Sequence, residues 1–147
     1  MKTKQVQGGF TLIELVVVIT ILGILAAFAI PRFISLETQA RTAAVEAVAG
    51  SVRSGAALAH AMYLANGQAS PVLMDGASVA VNASGYPSLA TIDDTLSDTS
   101  GFNYDPATGV FTKVNSSSAP IANCTVTYAL LPDADGVPQV TTDLSGC

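Results

Sequence analysis

The chain has 147 residues and a mass of 14.9 kDa, room for one domain with its own core but not for a two-domain enzyme. Half its residues are hydrophobic, 12% are charged and the mean hydropathy is +0.48, which excludes disorder and implies that one segment concentrates the apolar character. With 6 Lys+Arg against 11 Asp+Glu the net charge is −5, so a nucleic-acid backbone is repelled. One His and two Cys fall short of a four-ligand zinc site and of most histidine-based catalysis, and no catalytic residue, cofactor or metal site is expected.

The apolar excess lies near the start. After a polar leader at 1–9, residues 10–34 read FTLIELVVVITILGILAAFAIPRFI, without a charge from 15 to 31. Roughly 22 helical residues rise about 33 Å, enough to cross a hydrocarbon core. Lys2 and Lys4 precede the segment and the next basic residue is Arg32, so the leader is expected on the cytoplasmic side and the bulk of the chain outside. One ordinary reading is a secretory signal cut at Ala27-Phe28-Ala29, which would release a soluble exported enzyme; another is a plain signal anchor. Neither explains Glu14, a carboxylate that costs about 2.5 to 3.5 kcal/mol within a bilayer and asks for a partner.

The string Gly8-Gly9-Phe10-Thr11-Leu12-Ile13-Glu14-Leu15, followed by the apolar run and Pro31, resembles the class III signal sequence of type IV pilins and pseudopilins. That resemblance implies cleavage between Gly9 and Phe10 by a prepilin peptidase, methylation of the new Phe10 amine, and retention of the apolar helix. It further implies an inner-membrane precursor, which the pilus assembly machinery polymerises into a homopolymeric surface fibre used for attachment or motility. A pseudopilin of type II secretion is the alternative within this class. Cleavage would place a positive amine four residues from Glu14, and a carboxylate in an apolar bundle requires such a countercharge. In the family, Glu14 of one subunit would meet the Phe10 amine of a neighbour and set the axial register, a known use of buried polar pairs. Gly23 costs about 1 kcal/mol relative to Ala, and Pro31 removes a donor and clashes with the Ala27 carbonyl, so a kink is expected between them.

Beyond Pro31, an apolar stripe of Leu36, Ala40, Ala44, Val48, Val52, Ala56, Ala59 and Met62 predicts that the helix continues to about Ala65, stopped by Asn66-Gly67. Such a helix of about 56 residues would reach about 84 Å, too long for a small domain to bury. Glu14, Glu37 and Glu46 balance Arg32, Arg41 and Arg53, whereas eight aspartates face Lys113 alone beyond the helix, a sum of −7. A neutral stalk suits packing against copies of itself, and an acidic head keeps the assembly soluble.

In the remainder, hairpins are predicted from strands at 102–104 and 110–114 and from 124–130 and 137–142, with a further strand at 78–81. Cys124, Val126, Tyr128 and Leu130 alternate, so one face can lie on the helix stripe. The expected fold is α+β: a long N-terminal helix whose C-terminal half packs on an antiparallel sheet of about four strands. Its parts are the leader at 1–9, the membrane-spanning and filament-core half-helix at 10–34, the amphipathic half-helix at 35–65, and the head at 66–147. In an exported chain Cys124 and Cys147 most simply pair, closing a loop worth about 3 kcal/mol, and the pair resembles the C-terminal disulfide loop of type IV pilins. The short leader resembles the type IVa group, and the Phe-Thr-Leu-Ile-Glu and Pro-Arg-Phe segments its mannose-sensitive haemagglutinin branch. Asp133, Asp135 and Asp143 lack the EF-hand pattern and are read as solvated turns. His60 is read as packing or capping, and Asn82, Asn115 and Asn123 in N-x-S/T triplets carry no expectation of glycosylation.

Overall fold

The computed structural model describes residues 9–131 and 136–147; Asp133 and Asp135 lie outside the described residues. The chain divides into two compact units, Met1–Glu37 and Thr38–Cys147. Helix α1, Leu12–Ala65, enters both, and the positions of Gly23 and Pro31 lie within it.

In the second unit α1 ends at the predicted stop. Gly67 has φ +67, its N–H bonds the Leu64 carbonyl at 3.4 Å, and the Gln68 N–H bonds the Tyr63 carbonyl at 2.8 Å. These two bonds satisfy carbonyls that a helix end leaves open, and the left-handed residue is one that Gly adopts without a Cβ clash.

The acidic, turn-rich remainder builds two antiparallel sheets. Strands β1, Val72–Met74, and β2, Ala77–Val79, form a small hairpin. Its tip is Asp75-Gly76, both at positive φ, the conformation that a two-residue hairpin turn requires. The main sheet has the order β3-β4-β5-β6, from β3, Phe102–Asp105, β4, Val110–Val114, β5, Pro120–Leu130, and β6, Pro138–Asp143. The strands expected at 102–104, 110–114, 124–130 and 137–142 are thus present, and β5 begins four residues earlier than expected. The strand expected at 78–81 is β2, shorter and paired with the unforeseen β1.

Cys124, Val126 and Tyr128 are fully buried and, with Phe111 and Ile92, meet Val45, Ala49, Val52 and Ala56 of α1. The α+β layout is as the sequence predicts, but the stripe is displaced at its start: Val45 and Ala49 are buried, whereas Leu36 is 57% exposed. A strict four-residue step drifts about 40° per step around an α-helix; the buried set 45, 49, 52, 56, 59, 63 alternates four and three and stays on one face. A second cluster joins Ala59 and Tyr63 to Val72, Met74 and Val79.

Between the sheets, residues 93–98 run beside α1 through a single 3-10 turn, Asp93–Thr95. The close approach depends on Gly55, where an added Cβ would lie 2.3 Å from Thr95 Oγ1 and 3.3 Å from its carbonyl. Gly55→Ala is therefore expected to cost about 1 to 2 kcal/mol through overpacking, read from urea unfolding of the detergent-solubilised chain.

Candidate assembly site

Thr11 and Glu14 close the start of α1 on themselves. The Glu14 N–H bonds Thr11 Oγ1 at 3.3 Å, while Glu14 Oε2 accepts the Thr11 N–H at 2.9 Å and its hydroxyl at 2.7 Å. This is a reciprocal capping box, which satisfies two of the donors that a helix start leaves open. The spacing Thr-x-x-Glu signals it in the sequence, yet Thr11 escaped notice because Glu14 stood out as a charge in an apolar run. Phe10, just before the box, is 90% exposed.

The window Leu12–Ala29 has a mean hydropathy of 2.7, is not buried within the structure, and is long and apolar enough to cross a membrane. Its one hydroxyl inside the run, Thr20, bonds the carbonyls of Val16 and Val17 at 3.0 and 2.8 Å, so it brings no unsatisfied donor into an apolar medium.

At the other end of the chain, Cys124 and Cys147 form the expected disulfide, with Cα atoms 4.9 Å apart. The Gly146 N–H bonds the Asn123 carbonyl at 2.9 Å, and Arg41 on α1 reaches the Cys147 carbonyl at 3.4 Å. The closing segment is thereby held to β5 covalently and to α1 by a charged donor. Sequence reasoning missed Arg41, which had been counted only as one charge of a balanced stalk.

The remaining candidates have structural partners. The His60 ring stacks on Tyr86 at 4.3 Å and 6°, the packing role expected of it. Asn82 Oδ1 accepts the N–H groups of Ser84 and Tyr86, and its amide reaches the Gly136 carbonyl at 3.2 Å. Asn115 closes the β4–β5 connection by accepting from Ser117 and Ala119, and Asn123 adopts φ +57. Lys113 donates to the Gly101 carbonyl at 2.9 Å with its ammonium 4.9 Å from the Phe102 ring centroid. Burial pushes the Tyr104 phenol up to about 12, and its hydroxyl donates to the Leu89 carbonyl.

Asp98, Asp105 and Asp143 each accept hydrogen bonds from a following hydroxyl-bearing turn: from Ser100, from Ala107 and Thr108, and from Ser145. Those bonds favour the charged form and hold all three carboxyls below the ordinary 3.8. A depressed folded-state value contributes stability above the unfolded value and loses it as pH falls through the folded one. The melting temperature is expected to drop below about pH 4, and Asp143→Asn to flatten that drop in a series of melts from pH 6 to 2.

The prokaryotic N-terminal methylation motif matches residues 4–30, the stretch that holds Gly9, Phe10, the capping box and the apolar window. The chain is 59% identical over 51 residues to a type IV narrow pilus major component, PilA5, of Thermus thermophilus, covering 35% of this chain and 44% of that protein. It is 43% identical over 94 residues to a fimbrial protein of Dichelobacter nodosus, covering 63% and 56%. It is also 70% identical over 30 residues to the fimbrial protein EcpC of Eikenella corrodens, covering 20% of each. The chain thus spans about half the length of the first two of these curated relatives, and no solved structure matches it. The motif and the relatives together support a type IV pilin. The haemagglutinin branch draws no support from these relatives.

Proposed function

We propose that this protein is the structural subunit of a type IV pilus, made as an inner-membrane precursor and polymerised through its apolar helix into a surface fibre. The reading rests on one observation above all: a methylation motif set on an apolar, unburied window that begins with a capping box. Cleavage after Gly9 by a prepilin peptidase frees the Phe10 amine, which is then N-methylated and keeps its positive charge. The apolar helix passes from lipid, by way of the assembly machinery, into a bundle of its own kind, and Gly23 and Pro31 mark where it gives way under tension. Glu14 faces the Phe10 amine of the neighbouring subunit. Its bonds to Thr11 leave lone pairs open, because an ionised carboxylate accepts at about four sites.

N-terminal sequencing and mass spectrometry of the mature protein test this reading. A methylated Phe10 terminus on sheared surface filaments is the expected result. A soluble product beginning at Ile30 would overturn it in favour of secretion.

A further inference from the structure

Beside α1 in the head lies a notch of about 260 Å³, lined by Arg53, Ala57, His60, Tyr86, Val137 and Pro138 among others. Its walls are mostly apolar, Val137 is 43% exposed, and Arg53 is its cation. The Arg53 guanidinium spends one donor on the Val140 carbonyl at 3.0 Å and meets no carboxylate among the described residues. A guanidinium has five donors. Lys113, by contrast, is already held over the Phe102 ring.

The acidic segment 93–98 sits on the other flank of the same helix. It packs closely on α1 at Gly55, and Arg53 precedes Gly55 by two. Two residues turn an α-helix by about 200°, so the two features point away from each other, while the rise between them is only about 3 Å. Asp94 and Asp98 are exposed there, beside Leu58, which is 55% exposed and lines the groove on that flank. One flank of the head therefore presents carboxylates next to an apolar side chain, and the opposite flank presents a guanidinium in an apolar notch, at nearly the same level along α1. No single copy can join them.

We infer that the Arg53 notch receives the acidic segment 94–98 of a second copy, so that adjacent heads in the fibre are joined by a contact between Arg53 and Asp94 or Asp98. The two faces differ, so the contact is head to tail, and such a contact propagates as a ring or an open helix. The inference rests on the pilus reading above and deepens it by naming the lateral contact. Its charge complementarity selects the correct neighbour and resists wrong registers.

The test uses the full chain in an assembling strain. Arg53→Glu, and separately Asp94→Arg with Asp98→Arg, are each expected to lower sheared filament yield about tenfold or more through like-charge contact, with precursor level and protease resistance unchanged. The chain carrying all three reversals is expected to recover to within about threefold of wild type, because every interface then has opposite charges again. A triple variant no better than the worse parent, in a strain where wild type forms normal fibres, overturns the contact. Absence of fibres from wild type would instead sink the pilus reading.

Discussion

Glu14→Ala is expected to leave leader cleavage and membrane insertion intact while abolishing surface filaments. Two separable losses follow from the substitution. The first is the capping box, where loss of the Glu14 acceptor frees the Thr11 N–H, at a cost of about 1 kcal/mol to the start of the helix. The second is the countercharge. In an apolar bundle, a methylated Phe10 amine left without its carboxylate costs about 3 to 5 kcal/mol, more than a hundredfold at each subunit addition. Glu14→Gln separates the two, because a Gln at this position can still close the box but carries no charge. Immunoblots of sheared and membrane fractions should find Gln as defective as Ala. Normal filament yield from both variants would remove Glu14 from assembly, and normal yield from Gln alone would reduce its role to capping.

Replacing both Cys124 and Cys147 by Ser is expected to destabilise the head by about 3 kcal/mol. The bridge closes a loop of roughly two dozen residues, and the cross-link acts mainly by restricting the unfolded chain. Cys124 is fully buried and Cys147 nearly so, so two hydroxyls would also enter the core beside Val126 and Phe111. The Arg41 bond to the Cys147 carbonyl and the Gly146 bond to Asn123 remain, which limits fraying and should preserve the fold at low temperature. Urea unfolding of the detergent-solubilised chain reads the difference as a lower midpoint with a steeper slope, because the unfolded chain without the bridge exposes more surface. An unchanged midpoint would show that these two contacts suffice to hold the closing segment.

The N-terminal segment was legible because its signals are local and redundant: a basic leader, a Gly-Phe junction, a carboxylate at Glu14 and a long apolar run. The four-stranded sheet was legible for a similar reason, since Asp105-Pro106 and Gly109 punctuate strands whose buried faces alternate. The small hairpin was harder. Its strands have three residues each, too short for periodicity to register, although Asp75-Gly76 between apolar residues is a direct turn signal. The placement of 93–98 against Gly55 was out of reach. It depends on a contact between residues forty positions apart, and no pattern within either segment announces it. Arg41 and Arg53 were visible only as charges because the carbonyls they reach, of Cys147 and Val140, are brought to them by the tertiary fold.

If the chain assembles as proposed, Lys113 would give the fibre a chemical address. On the pilus reading Lys2 and Lys4 would leave with the leader, and the other Lys and Arg residues are arginines, so each mature subunit would carry a single primary-amine side chain, the half-buried Lys113, on its head. An amine-directed fluorophore would then decorate the filament once per repeat, away from the helix that builds it, and label spacing under an optical trap would report extension subunit by subunit.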